Sequence, residues 1–273
     1  EKQLNGTYEE YRGKEKEMTR REDELNDLLT KIFRRGDKQM IESELEYRDM
    51  LEDEIKTVAG DLQEIRVKNP SAAARIEYDT IKEYAEQLRT TGFIWTKSRK
   101  KLLHDILTGA LTSRPVVALM GETGVGKTAA IFAASEKLTG RDPERTVGGE
   151  HEKFVRLLAT PSLDGGYEFG PLLRAMTGKD SSQDKQPKRG GGVFFDDEFN
   201  TRPTSTQREI LKFVAEARPG RKVSIPGTPL VEEVVAGFIY VAGGNPPGER
   251  YDREETGIET KREFAGNVIN VDY

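Results

Sequence analysis

The eight residues Gly121 to Thr128, GETGVGKT, most restrict what this chain can fold into. They match the pattern G-x-x-x-x-G-K-[ST], between an apolar run, PVVALM (115–120), and an alanine-rich run, 128–140. Such a loop needs a buried strand before it and a helix after it, because backbone N–H groups and the helix N-terminus must converge on one anion. The motif therefore predicts a strand–loop–helix unit that binds phosphate groups.

The pattern also gives individual roles to the loop residues. The glycines let the backbone wrap with its N–H groups pointing inward. Lys127 is suited to reach the β- and γ-phosphates of a nucleotide, and the Thr128 hydroxyl to bind Mg²⁺. The residues predicted to contact the nucleotide are Gly121, Glu122, Thr123, Gly124, Val125, Gly126, Lys127, Thr128 and Ala129.

From about residue 92 onwards, strand-like and helix-like stretches alternate. Helices are expected at 128–140 and 205–217, and a short β-hairpin at RKVSIPGTPLVE (221–232). The expected strands are PVVALM (115–120), FVRLL (154–158), GVFF (192–195), GFIYVAGG (237–244) and NVINV (267–271). This order predicts an α/β fold, a three-layer αβα sandwich around a mostly parallel five-stranded sheet.

Residues 1 to about 90 are highly charged and carry apolar side chains at helical spacing. Leu51, Ile55, Val58, Leu62 and Ile65 alternate steps of four and three residues, which is a heptad pattern. We expect helices at about 7–34, 38–67 and 72–90. The sequence thus predicts a coiled-coil-like helical arm over 1–90 and a separate core over 91–273. We expect a solvated helical arm or an oligomerisation handle, with a specific partner-binding surface as the alternative.

Composition excludes several classes of site. The chain has no cysteine, which excludes disulfides, zinc–thiolate sites and iron–sulfur clusters, and its two histidines exclude a histidine-rich metal site. A net charge of −5 argues against a broad nucleic-acid-binding surface. No run of 18 apolar residues occurs, so we expect no membrane span and a cytoplasmic location.

Three acids follow the expected third strand in VFFDDEFN, 193–200. An acid at a strand end can hold Mg²⁺ through water, and the next acid can activate the attacking water. Chemistry alone permits Asp196 for the metal with Asp197 as base, or Asp197 for the metal with Glu198 as base. Successive strand residues point to opposite faces, so only one of these registers is correct.

Together these segments resemble AAA+ ATPases. The resemblance covers about residues 92–273 and is strongest to the MoxR and dynein-related (midasin-like) group; GYEFGPLLRAM (166–176) fits a loop that such proteins insert. The segments that carry it are GETGVGKT, DEFN before a helix, RKVSIPGTPLVE and VAGGNPP. It implies a P-loop NTPase fold, ATP and Mg²⁺ as ligands, and ATP hydrolysis in a homo-oligomeric ring, expected to be a hexamer, that remodels or matures a partner protein or complex.

The resemblance also suggests roles for single residues. Asp197 becomes the Mg²⁺-associated acid beside Thr128, and Glu198 the catalytic base. Asn245 matches the sensor-1 position, where a polar side chain contacts the γ-phosphate or the lytic water. Asn200 is expected to support the interface or to orient the acid.

An arginine acting in trans and a helical lid complete the family's site. Arg262 is the first candidate for this arginine, although Glu263 separates it from Phe264, and Arg250 and Arg253 are alternatives. The chain ends before a C-terminal helical lid could begin, so the lid is expected to be missing from it.

Two other functions are compatible with the sequence. The first is a nucleic-acid-directed AAA+ motor of the restriction or defence type, which the acidic composition disfavours. The second is a coiled-coil scaffold in which bound ATP is only a structural switch. The presence of Lys127, Glu198 and Asn245 together favours an ATP-hydrolysing enzyme over the scaffold.

Overall fold

The computed structural model describes residues 2–35, 40–91, 94–111, 115–122, 124–147, 154–245, 264 and 268–271. The chain forms two compact units, one comprising Glu1–Lys31 and Gln39–His104 and the other Ile32–Lys38 and Asp105–Tyr273. The long first helix and the fourth helix each contribute residues to both units.

The first unit is helical. It contains most of α1 (Lys2–Arg35), all of α2 (Glu42–Lys68) and α3 (Pro70–Thr91), and the first half of α4 (Lys97–Ala110). The apolar residues of α1 and α2 pack together in a cluster formed by Tyr8, Tyr11, Met18, Val58 and Leu62. The prediction of an N-terminal helical region is therefore confirmed. The third helix begins at Pro70, earlier than expected, because proline suits the first turn of a helix.

The second unit is built on a five-stranded sheet in which every pairing is parallel. In their order across the sheet, the strands are β2 (Glu144–Val147), β5 (Val193–Asp197), β8 (Ile239–Gly244), β1 (Val116–Met120) and β9 (Val268–Asn270). Two antiparallel hairpins lie outside the sheet: β3 (Ala159–Pro161) with β4 (Tyr167–Phe169), and β6 (Lys222–Ser224) with β7 (Val231–Glu233). The helices are α5 (Lys127–Thr139), α6 (Phe154–Leu158), α7 (Pro171–Thr177) and α8 (Thr204–Glu216), and a 3-10 turn spans Phe199–Thr201. The predicted α/β class with a parallel five-stranded sheet is confirmed.

The second strand of the sheet was predicted in the wrong place. FVRLL (154–158) forms α6, in which Phe154, Leu157 and Leu158 are buried. A short apolar run fits a buried helical turn as well as a buried strand, so its pattern could not separate the two. The second strand is β2, an edge strand whose only buried residue is Thr146.

The two faces of the sheet are filled by alternate strand residues. Phe194 and Tyr240 lie on one face, in a core shared with Leu157 of α6, Leu173 of α7 and Ile210 of α8. Their rings stack with centroids 5.5 Å apart. Because side chains alternate along a strand, the neighbouring buried residues of β5 and β8 point to the other face, and α5 also contacts β5. The same alternation separates Asp196 from Asp197.

Within the described part of the chain, no helix is both long and apolar enough to cross a membrane.

Candidate functional site

The predicted site residues lie at the carboxyl ends of three adjacent strands. Met120 ends β1 ahead of the glycine-rich loop, Asp197 ends β5, and Asn245 follows β8, which lies between the other two strands. Parallel strands present their carboxyl ends at the same edge of the sheet, and open α/β sheets bind ligands at that edge where the connections change direction. The chain passes from β1 to the far edge strand β2 and returns through β5 and β8 before it reaches β9, on the other side of β1.

The loop between β1 and α5 has the backbone that its glycines permit. Gly124 and Gly126 have φ angles of 90° and 83°, in the left-handed region that other residues rarely adopt. Gly126 immediately precedes α5, so the loop ends at the N-terminus of a helix of 13 residues. Of the other predicted contacts, Glu122 and Ala129 are exposed and Val125 is half-buried, whereas Thr123 lies outside the described residues.

Lys127 is buried and points back into its own loop. Its ammonium group donates hydrogen bonds to the carbonyl oxygens of Gly121 and Glu122, the latter at 2.8 Å. It also donates to Oδ1 of Asn245 at 3.0 Å. A buried ammonium is costly unless it is hydrogen-bonded, and these three acceptors meet that requirement. Lys127 thus joins the glycine-rich loop to the end of β8.

Asn200 also forms a hydrogen bond with Asn245. The Asn200 amide donates to the Asn245 carbonyl oxygen at 2.8 Å, and both side chains are buried. The amide oxygen of Asn200, Oδ1, is buried and has no hydrogen-bond partner among the described residues. The contact of Asn200 is with Asn245 and not with an acid, so the role expected for Asn200, at the interface or in orienting the acid, stays a prediction.

Asp197 is in contact with the loop. Its Oδ2 accepts hydrogen bonds from the Thr128 hydroxyl at 3.3 Å and from Nη2 of Arg145 at 2.6 Å, while its Oδ1 accepts from the Glu198 N–H at 3.1 Å. Asp197 therefore lies beside the hydroxyl expected to bind Mg²⁺. These contacts favour the register in which Asp197, and not Asp196, serves the metal.

Asp196 faces the opposite way and is fully buried in an ion pair. Arg202 donates from Nε and Nη2 to its carboxylate at 2.9–3.2 Å, and the Tyr240 hydroxyl donates to Oδ2 at 2.8 Å. Burial raises the pKa of the Asp196 carboxyl, and the charge of Arg202 opposes that rise. Burial also raises the pKa of the Tyr240 hydroxyl, which therefore remains a hydrogen-bond donor. With all these partners in the core, Asp196 has a structural role.

Glu198 has a strained backbone. Its φ and ψ are 56° and 34°, and it is the only residue other than glycine with a positive φ in the described part of the chain. The N–H and the hydroxyl of Thr201 both bond to the Glu198 carbonyl oxygen and close the 3-10 turn. Such conformations persist only where the surrounding structure holds them, and they are frequent at active sites. Glu198 is half-buried and directly follows Asp197.

The sequence did not predict three polar residues that lie near these acids. Arg145 lies on the edge strand that was not recognised, and Arg202 and Tyr240 are the partners of Asp196. The pair Asp196 and Arg202 is six residues apart in the sequence, and only the 3-10 turn brings the two side chains together. Arg262, Arg250 and Arg253 lie outside the described residues, so the prediction for them stays open.

Replacing Gly121 with alanine is expected to destabilise the second unit by about 1–3 kcal/mol, the usual cost of overpacking. A Cβ at this position would lie 2.4 Å from the Val271 carbonyl oxygen and 3.2 Å from the Val271 Cβ, just after β9. Gly60→Ala in α2 is the control, because, apart from its chain neighbours and its own helix backbone, no atom of the described residues lies within 4 Å of its added Cβ. Thermal unfolding followed by circular dichroism compares the two variants; a Gly121→Ala protein as stable as the wild type would contradict this close approach.

Comparison with known proteins adds no assignment, since no family model and no curated protein matches this chain.

Proposed function

We propose that this chain is an ATPase of the P-loop class, in which Lys127, Thr128 and Asp197 bind Mg·ATP and Glu198 activates the attacking water. The observation that carries the proposal is the meeting of three strand ends. Lys127 bonds to Asn245 at 3.0 Å, and the next residue, Thr128, bonds to Asp197 at 3.3 Å. A glycine-rich loop at a helix N-terminus is therefore linked both to an acid and to a neutral amide.

The residues present fit a magnesium nucleotide. The Thr128 hydroxyl and the Asp197 carboxylate are hard oxygen ligands, which Mg²⁺ prefers. Among the described residues, no three His, Cys, Asp or Glu side chains gather as a metal site. Mg²⁺ usually keeps several waters and binds through one or two carboxylates and phosphate oxygens, so this site needs no such cluster. When bound, Mg²⁺ would neutralise charge on the β- and γ-phosphate oxygens.

The protein groups have distinct parts in this proposal. Lys127, which now donates to two carbonyl oxygens and to Asn245, would turn to the phosphates, because an ammonium bonds more strongly to charged oxygens than to neutral ones. The Glu198 carboxylate would accept a proton from the attacking water. Asn245, held through its carbonyl oxygen by Asn200, would contact the γ-phosphate or that water.

The wider function rests on the sequence resemblance. The MoxR-like motifs support an AAA+ ATPase that forms a homo-oligomeric ring, expected to be a hexamer, and remodels or matures a partner protein or complex. The parallel five-stranded sheet with the loop after β1 is compatible with a P-loop fold. The N-terminal helical region is a candidate surface for ring contacts or for the partner.

Replacing Lys127 with methionine tests nucleotide binding. The change keeps most of the side-chain length but removes the ammonium, whose hydrogen bonds to charged oxygens are worth about 1.5–3 kcal/mol. We expect the affinity for Mg·ATP to fall by about 10- to 150-fold in a calorimetric titration. Lys212→Met, at an exposed position on α8, is the matched control and should bind like the wild type. Equal affinity of the Lys127 variant and the wild type would refute the nucleotide site.

A phosphate-release assay separates the proposed function from its alternatives. Hydrolysis of ATP by the wild type supports the enzyme, whereas tight ATP binding without hydrolysis would indicate a scaffold with a nucleotide switch. A strong stimulation by DNA or RNA that falls steeply with salt would indicate a nucleic-acid motor instead.

A further inference from the structure

Arg145 is a charged residue beside the site that no motif predicts. It lies on the edge strand β2, where it pairs in register with Phe195, and Val147 pairs with Asp197. Its guanidinium contacts the Asp197 carboxylate at 2.6 Å, and 38% of the Arg145 side chain is exposed against 15% for Asp197. The cation therefore lies at the solvent side of the acid expected to serve Mg²⁺.

Arg145 contacts the same carboxylate oxygen that faces the loop. Oδ2 of Asp197 accepts from both Arg145 and the Thr128 hydroxyl, whereas Oδ1 accepts from the Glu198 N–H. A metal ion between Thr128 and Asp197 would have to approach this oxygen. The guanidinium would then be within a few ångströms of a divalent cation, and like charges at such a distance repel each other.

The exposure of Arg145 determines how easily its guanidinium can separate from the Asp197 carboxylate. The ion pair of Asp196 with Arg202 has side-chain exposures of 0% and 2%, so separating that pair would strand a charge in the core. Arg145 is more than one-third exposed, and it can turn into water without leaving a buried cation. Partly exposed ion pairs contribute little net free energy, so a moderate gain elsewhere suffices to separate this one.

We infer that Arg145 is a positioning residue that competes with divalent cations for Asp197. Its ion pair with the Asp197 carboxylate hinders the binding of free Mg²⁺ and keeps that carboxylate oriented toward Thr128. Arg145 separates from Asp197 when the ion arrives with a nucleotide, because the binding of the phosphates supplies the moderate free energy that separating a partly exposed ion pair needs. This inference deepens the proposed function and rests on it for the identity of the metal.

Binding of Mn²⁺ to the nucleotide-free protein tests the competition directly. Mn²⁺ takes the same oxygen ligands as Mg²⁺, and the free ion can be counted by electron paramagnetic resonance. We expect Arg145→Gln to bind Mn²⁺ about tenfold more tightly than the wild type, a change of about 1.4 kcal/mol. Arg145→Lys keeps the positive charge and should give a smaller gain. Lys185→Gln removes one exposed positive charge from another loop and should leave Mn²⁺ affinity unchanged.

A double variant assigns the effect to Asp197. Adding Asp197→Asn to Arg145→Gln should abolish the gain in Mn²⁺ affinity, since the competition is for that carboxylate. Mn²⁺ binding to Arg145→Gln that is no tighter than to the wild type, or a gain equal to that of Lys185→Gln, would overturn the inference. The failure of the proposed function looks different: the gain in Mn²⁺ affinity is then seen, but no variant and no wild-type sample binds or hydrolyses ATP.

Arg145→Met is a second variant that tests whether the tighter Mn²⁺ binding of Arg145→Gln comes from the lost charge or from a change in folding. It retains the aliphatic stem on β2 without the charge, and it should reproduce the tighter Mn²⁺ binding of Arg145→Gln. Thermal unfolding curves that match the wild type would show that both variants are folded. Tighter binding in only one of the two variants would contradict a competition based on charge.

Discussion

Glu198→Gln is expected to lower the rate of ATP hydrolysis by about 10²–10⁴-fold while Mg·ATP remains bound, because the loss of a general base has this size. Glutamine has the size and shape of glutamate but cannot take a proton from water. The backbone at Glu198 is left-handed, with φ of 56°, and the 3-10 turn that follows it is closed by hydrogen bonds from Thr201 to the Glu198 carbonyl oxygen, which the substitution retains. The variant should therefore keep the geometry of the site and lose only its proton acceptor.

Two measurements on the same samples test this expectation. Phosphate release gives the turnover, and calorimetric titration gives the affinity for Mg·ATP. Glu209→Gln, at an exposed position on α8, removes the same charge and should retain wild-type turnover and affinity. Unchanged turnover in Glu198→Gln would remove Glu198 from the catalytic role. A loss of ATP binding together with turnover would instead assign Glu198 to the binding of the nucleotide.

The central elements of the second unit could be predicted because each has a strong local pattern. GETGVGKT stands between a fully apolar strand and an alanine-rich helix, and VFFDD and IYVAGG are continuous buried strands. Strands that are buried on both faces of a parallel sheet read as apolar runs, and that pattern needs no knowledge of the partner strand. The glycine-rich loop, the acids and Asn245 could then be placed together, because each lies at the end of a predicted strand.

The edge of the sheet could not be predicted for the opposite reason. β2 has the sequence ERTV and buries only Thr146, so it has no apolar pattern that would identify a strand. The apolar run FVRLL, which follows later in the sequence, forms a helix. Only its pairing with β5 makes ERTV a strand. Arg145 was missed for the same reason, because a polar residue on an unrecognised strand has no predicted neighbour.

The roles of the adjacent acids also needed contacts that are distant in sequence. Alternation along β5 shows that Asp196 and Asp197 point to opposite faces, but it does not say which face holds the nucleotide. The answer lies in Thr128, which is 69 residues from Asp197, and in Tyr240, which is 44 residues from Asp196. Family resemblance chose the Asp197 register, and these contacts favour the same choice on independent grounds.

Asp196→Asn is expected to destabilise the second unit by about 3–5 kcal/mol, the usual effect of removing one partner from a buried ion pair. Arg202 would retain its charge with a side-chain exposure of 2%, and its bidentate contact would be lost. Asp197→Asn removes a contact of Arg145, whose side chain is 38% exposed, and should cost at most about 1 kcal/mol. Urea unfolding of both variants, followed by circular dichroism, measures the difference in unfolding free energy.

The same pair of variants separates the two registers by function. If Asp197 serves the metal, Asp197→Asn should remain folded but lose Mg²⁺-dependent hydrolysis, whereas Asp196→Asn should lose stability first and retain Mg²⁺ dependence in the fraction that is folded. A second substitution, Arg202→Met, should recover part of the stability lost in Asp196→Asn, because it removes the stranded charge. A stable Asp196→Asn protein that has lost its Mg²⁺ dependence would show that Asp196, and not Asp197, serves the metal. Asp197 would then become the candidate base, despite its contact with Thr128.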